Sequence, residues 1–351
     1  MIVYPYKIDE CGFYQRGSTE PSFGYLIEFL PEFIEWINKK ELIVETATYQ
    51  DNESQTPRTF CFEAFQIPHS DSYGFVFWNE TPQFDEGIAS VPLSSEVGNV
   101  KVDINEGNED SISGWPVYII IDPNLSLLVS LVPDVFRGSR RSGIPQIRRY
   151  FREYLKMKSN YAIKQGLVNG IENTTEEIIG WGIEGSNYSK NYSIRFNTKE
   201  LRTKGKLARI IEKYNKIYKL VMSSEINFEI PTERSIFERA IALIFPDSLE
   251  GKSMDKANYR AEIDFNPTKN DMNKLIEHWG KEVDRGNESY EIGVRFSGES
   301  NRVYWFSQAR GVFEHEIDDE IKNKSLWNSS ELIAIWREIR NSVLKIYKGA
   351  L

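Results

Sequence analysis

The segment FRGSRRSGIPQIRRYFREYLKMK, residues 136–158, gathers six arginines and two lysines against a single acid, in a chain whose formal net charge is −9. Guanidinium groups fork onto phosphate oxygens in a way lysine does not. The Arg-Gly-Ser-Arg-Arg-Ser-Gly run sets them beside hydroxyls and unhindered backbone N–H groups, the groups that contact a nucleic-acid backbone. A second set, Arg202, Lys206, Arg209, Lys213 and Lys216, recurs at spacings of four and three. On a continuous helix that spacing would place five cations along one side. The candidate phosphate contacts are therefore Arg137, Arg140, Arg141, Arg148, Arg149 and Arg152, together with Arg202, Lys206, Arg209, Lys213 and Lys216. Tyr150, Phe151 and Tyr154 fall at core-facing rather than base-stacking positions.

Charge along the chain is uneven. Residues 1–136 hold 22 acids and 6 bases, residues 137–222 hold 7 acids and 19 bases, and residues 223–351 hold 23 acids and 18 bases. Screening over roughly 8–10 Å at physiological salt makes a ligand respond to the local excess rather than the total. The basic middle has three possible counterparts: acidic surface of the same chain or of a second protomer, a nucleic acid, or another acidic partner.

Other chemistries have weaker support. His69, His278 and His315 show no H-x-x-x-H spacing and no neighbouring cysteine. In Glu314-His315-Glu316, strand alternation would point the carboxylates away from the imidazole. Pro246-Asp247 followed by Glu262-Ile263-Asp264 approaches the Pro-Asp…(Asp/Glu)-x-Lys layout of metal-dependent nucleases, whose chemistry needs two acids on a metal and a lysine near the attacking water. Position 264 is Asp where that layout has Lys. There is no G-x-S-x-G elbow, and GWGIEG and FRGSRRSG lack the Lys-Ser/Thr ending of a phosphate loop. No catalytic, metal-ligating or cofactor-binding set emerges. Cys11 and Cys61 make neither a metal pattern nor a disulfide framework, and buried or idle thiols fit a reducing cytoplasm. The N-terminal MIVYPYKIDECGF has no signal-peptide organisation. The longest apolar runs fall below the ~20 residues of a membrane helix, so no membrane insertion is expected.

The elements that would position these residues read as α+β. FGYLIEFLPEFIEWINKK reads as a helix, starting near Leu30 if Pro31 occupies a first turn. ELIVETATYQ, RTFCFEAFQI, SYGFVFWNE and GNVKVDINE read as strands. WPVYIIIDPNLSLLVSLV reads as a hairpin about Asp122-Pro123-Asn124. IPQIRRYFREYLKMK has the three-and-four spacing of a helix. A mostly antiparallel sheet with a packed helix thus fills residues 1–158, ending in the basic loop and helix, and a C-terminal α+β domain fills 159–351. Within the latter, NTKELRTKGKLARIIEKYNKIYKLVM reads as one long helix and IPTERSIFERAIALIF as another. NYSIRFNTKELRTKGKLARIIEKY and NYRAEIDFNPTKNDMNKLIEHW share an order that could be one strand–helix unit used twice. Two strands about Gly-Glu-Ser-Asn follow. A closing helix is capped by Ser329 or Ser330, with Gly349 past its end.

Three stretches resemble the Rex-type phage-exclusion sensor proteins (RexA-like). They are Gly114-Trp115-Pro116 leading into the apolar hairpin, AEIDFNPTKNDMNKLIEHW, and YEIGVRFSGESNRVYWFSQARGVFEHEI followed by SELIAIWREIRNSVLKIYK. The resemblance implies a non-enzymatic, homodimeric DNA-binding protein of bacteria or phages, in a phage–host conflict system, acting through a downstream effector or host defence protein. Since nothing in the sequence resembles a base-reading helix, contact with duplex DNA of little sequence preference is expected, in the cytoplasm that the cysteines suggest. The alternatives are a protein-binding anti-defence factor with an acidic, DNA-mimicking surface and, third, a metal-dependent nuclease.

Overall fold

The computed structural model describes residues 1–49, 57–81, 89–104, 110–134, 142–169, 173–183, 188–202, 204–227, 256–284, 290–299, 302–322 and 324–350. Its content is mixed α+β, with an antiparallel sheet and packed helices. The chain forms two compact units: residues 1–201 with 311–349, and residues 202–310. The boundary expected after residue 158 instead falls after 201, because residues 193–200 close the first unit's sheet.

The first unit contains β1 (Ile2–Tyr14), α1 (Leu26–Asn38), β2 (Thr59–Gln66), β3 (Tyr73–Glu80), β4 (Ala89–Pro92), β5 (Asp103–Ile104), β6 (Ser111–Asp122) and β7 (Leu127–Val132). Helix α2 (Ile144–Met157), the hairpin β8 (Ala162–Asn169) and β9 (Asn173–Trp181), and β10 (Ser193–Glu200) follow. Its main sheet runs β10-β1-β7-β6-β3-β2, and β4 pairs with both β5 and β6. The β6–β7 hairpin lies where the sequence put it: Asp122 Oδ1 accepts from the Leu125 N–H (3.2 Å) and closes the turn.

Alternation divides the sheet into two apolar faces. Val117, Ile119 and Ile121 of β6 pack with Phe75 and Phe77 of β3 under α1 and α2. Phe33 of α1 is the hub there, with ring contacts to Trp36, Phe75, Tyr150, Phe151 and Tyr154. Tyr118 points the other way and stacks on Trp327 (centroids 4.5 Å apart), its hydroxyl accepting from the Trp327 N–H at 2.8 Å. Trp327 leads into the final helix, which follows β15 (Phe313–Glu314) and the short α5 (Asp319–Lys322). This helix is α6 (Ser329–Ala350), with Leu332, Ile335, Trp336, Ile339 and Val343 buried.

Two helix starts differ from the sequence expectation. Helix α1 begins at Leu26, with Pro31 inside it. Proline has no N–H, so the Ile27 carbonyl lacks its helical donor, on the exposed side of the helix where Ile27 is 59% exposed. Helix α6 is capped by Asn328, not Ser329 or Ser330. Asn328 Oδ1 accepts from the N–H groups of Ser330 and Glu331, and Glu331 returns a carboxylate oxygen to the Asn328 N–H, a reciprocal cap. The helix also continues through Gly349.

The second unit contains α3 (Lys204–Glu212), β11 (Ile217–Asn227), β12 (Lys256–Asp264), α4 (Lys269–Asp284), β13 (Glu291–Phe296) and β14 (Tyr304–Trp305), with sheet order β12-β11-β13-β14. Ile210, Met272, Trp279 and Val283 from the helices pack on Leu220, Ile292, Val294 and Phe296. The expected single helix through Met222 is instead a short helix, a 3₁₀ turn at Tyr214–Lys216 and a strand. Tyr218, Leu220, Val221 and Met222 suit a pleated surface, and pairing with β12 and β13 on both sides decides the matter. The strand–helix order does recur, as β10–α3 and β12–α4. However, β10 belongs to the first unit's sheet and β12 to the second's, so the pair is not a repeat within one domain. The helix expected in IPTERSIFERAIALIF lies outside the described residues.

Truncating the aromatic hub, Phe33→Ala, is expected to cost about 3–5 kcal/mol, measured by urea denaturation. Cys11 and Cys61 are free and buried, and burial pushes both thiols up. Ellman's reagent is therefore expected to titrate neither thiol in the native protein and both in denaturant.

Candidate nucleic-acid interface

Helix α2 carries the described half of the basic segment. It begins after Gly143, at φ 71°. A Cβ there would lie 2.6 Å from Val117 Cγ2 and 2.9 Å from Asn79 Nδ2, so both backbone conformation and space require glycine. Ile144, Ile147, Tyr150, Phe151, Tyr154 and Leu155 are buried. The arginines flank this stripe and meet three different fates.

Arg148 works as a docking residue. Its Nε donates to Thr198 Oγ1 (2.8 Å) and a terminal nitrogen to the Thr198 carbonyl (2.7 Å), tying α2 to β10. Arg149 lies over Tyr49, its guanidinium carbon 4.0 Å from the ring centroid, a cation–π contact that leaves its charge unneutralised. The Tyr49 hydroxyl donates to the Pro57 carbonyl at 2.9 Å. Burial pushes its pKa up, against a smaller opposing pull from the Arg149 charge. Arg152 is exposed and lies 3.6 Å from Glu153, which also sits 3.7 Å from Lys156. Ion pairs this long hold a side chain only loosely. Arg149, Arg152 and Lys156 follow one another at i, i+3 and i+7, a single helical row. Lys156, four residues after Arg152, extends this row beyond the cations that the arginine-rich pattern singles out. Arg137, Arg140 and Arg141 lie outside the described residues.

The five cations expected on one helix belong to the second unit and do not share a face. Arg202 precedes α3 and donates to Asp284 Oδ1 and the Gly280 carbonyl, both at 2.8 Å, with its guanidinium over Trp279. Lys206 and Arg209 lie within α3. Lys213 follows the helix and pairs with Glu299 at 2.9 Å, a hydrogen bond that pushes its pKa up. Lys216 is exposed in the 3₁₀ turn. The stripe fails because the helix ends at Glu212.

Of the nuclease-like acids, Asp247 lies outside the described residues. Glu262 accepts from Arg295 (2.8 Å) and Arg260 (3.1 Å), and the Arg295 hydrogen bond, foremost, holds its carboxyl below the usual range. Asp264 ends β12. Among the described residues no group of three His, Cys, Asp or Glu side chains could hold a metal. His315 lies 3.1 Å from Glu338. Among the described residues no helix is long and apolar enough to cross a membrane.

Comparison with family models, curated proteins and solved structures gives no match.

The two kinds of arginine separate by stability. Arg148→Ala is expected to cost about 1–3 kcal/mol, since it leaves buried Thr198 without its donors. Arg152→Ala should stay within about 0.5 kcal/mol of the parent. Paired urea titrations measure both.

Proposed function

We propose that the protein binds the phosphate backbone of duplex DNA without catalysing a reaction, through the outward row of α2 and the arginine-rich segment that precedes it. The observation that carries this reading is the row Arg149, Arg152 and Lys156. The apolar face of α2 is spent on the core, while these three cations remain on its other side, one of them over the Tyr49 ring. Arg137, Arg140 and Arg141 add three more cations within the preceding residues of the sequence. Backbone contacts position a protein on DNA but do not read sequence, so little sequence preference follows. The resemblance to Rex-type exclusion sensors supports a place in a phage–host conflict system, as a homodimer acting through a downstream protein.

Six phosphate contacts would give a slope of log K against log salt near −5, or about a 10³-fold loss of affinity between 50 and 200 mM salt. Fluorescence anisotropy with two unrelated duplexes at both salt concentrations is expected to show that loss equally for each. The triple variant Arg149→Ala/Arg152→Ala/Lys156→Ala should lower the slope by about 2–3 and keep the parent's melting temperature. A parent that leaves both duplexes unbound, or a variant that binds as the parent does, overturns the reading. Absence of DNA binding with nuclease-resistant co-purification of one host protein would favour the anti-defence alternative.

A further inference from the structure

At the opposite end of β3 and β6 from Asn79 and Gly143, the first unit holds a cleft of about 620 Å³. Its walls are the turn after β2, the β6–β7 turn and one turn of α6. Hydrogen bonds fix the two turns. Asn124 Nδ2 donates to Asp71 at 2.9 Å, Ser72 Oγ donates to Asp122 Oδ2 at 3.4 Å, and Ser70 Oγ donates to Ser72 Oγ at 3.0 Å. The Tyr347 hydroxyl of α6 donates to the Leu125 carbonyl at 2.8 Å and pins the helix to the same turn. The frame is therefore built before any ligand arrives.

The cationic side of the cleft is uncommitted. Arg337 and Arg340, one turn apart on α6, are exposed and make no hydrogen bond or ion pair among the described residues. The carboxylates of the cleft already accept hydrogen bonds from its own turns. Asp71 accepts from Asn124, and Asp122 accepts from Ser72 and the Leu125 N–H. His69 at the rim adopts φ 60°, a conformation that a residue with a Cβ holds at some cost. Trp336, 2% exposed, lines the cleft, and its Nε1 donor is buried without an acceptor. Such an orphan donor calls for a partner. Each of two guanidiniums one turn apart can fork onto the oxygens of a tetrahedral oxyanion. Asp71 retains lone pairs that can accept from hydroxyls beside it. The volume falls in the range of small-molecule sites.

We propose that this cleft binds a small phosphomonoester that also carries hydroxyl groups, a sugar phosphate in chemical class. The phosphate sits on Arg337 and Arg340, and the hydroxyls donate to Asp71. The proposal is independent of the nucleic-acid reading, since it uses other residues at the other end of the sheet.

The test uses the full chain with ribose 5-phosphate, inorganic phosphate and ribose as probes, read by thermal shift and tryptophan fluorescence. Ribose 5-phosphate is expected to raise the melting temperature saturably, as preferential binding to the native state requires. Inorganic phosphate should compete with it, and ribose should do nothing. Arg337→Ala/Arg340→Ala, exposed substitutions that leave the fold intact, should weaken ribose 5-phosphate at least tenfold. Asp71→Asn should weaken ribose 5-phosphate more than inorganic phosphate. No saturable shift at millimolar ribose 5-phosphate, equal effects of ribose, or parent-like binding by the double arginine variant would each overturn the proposal.

Discussion

The central strands β3, β6 and β7 are buried on both faces, and that burial sets the terms for the rest of the first unit. An antiparallel sheet commonly leaves one face to water, but here neither face can be left. One is covered by α1 and α2, the other by α6 and the tryptophan before it. Helix α2 must therefore give its apolar stripe to the sheet, which leaves its cations only the rest of its surface. The same demand draws α6 across the far face and brings Arg337 and Arg340 over the β6–β7 turn. Both functional proposals thus rest on how a doubly apolar sheet obtains its cover.

Burial also sorts the arginines of α2 by chemistry. Arg148 lies beside β10, where Thr198 offers a hydroxyl and a carbonyl, so its guanidinium is spent on docking. Arg149 faces an aromatic ring, which contacts the guanidinium without neutralising it. Arg152 has only Glu153 at long range, and Glu153 is shared with Lys156. A concentration of arginine in sequence therefore becomes a smaller set of available cations in space. The sequence-based stripe in the second unit contracts further, because Arg202 is taken by Asp284 and Lys213 by Glu299.

Elements with a single dominant period were legible in the sequence. The apolar runs on either side of Asp122-Pro123-Asn124 admit only a buried hairpin, and the Ile144-Ile147-Phe151-Leu155 spacing admits only a helix. Residues 207–221 satisfy a helical stripe and a strand equally well, and only the partners β12 and β13, distant in sequence, resolve the choice. The same distance hid the domain boundary, since the pairing of Tyr6 with Glu200 leaves no local mark. Of the candidate interface, the density of cations was readable. Which of them stay available depended on Thr198, Tyr49 and Asp284, none of them adjacent in the chain. The cleft leaves no mark in the sequence, because residues 67–71, 122–125 and 336–340 form no motif until the fold assembles them.

The return of residues 311–349 to the first unit, after the whole of the second, has a bearing on biosynthesis. Tyr118 and its cover Trp327 lie 209 residues apart. While the polypeptide emerges from the ribosome, the strands and α1 and α2 can associate early, but the far face of β6 and β7 stays bare until the intervening unit has been translated. A greasy surface exposed for that interval is a natural target for chaperones that hold nascent chains. The sheet first becomes fully shielded only once residues 311–349 have emerged and folded back onto it.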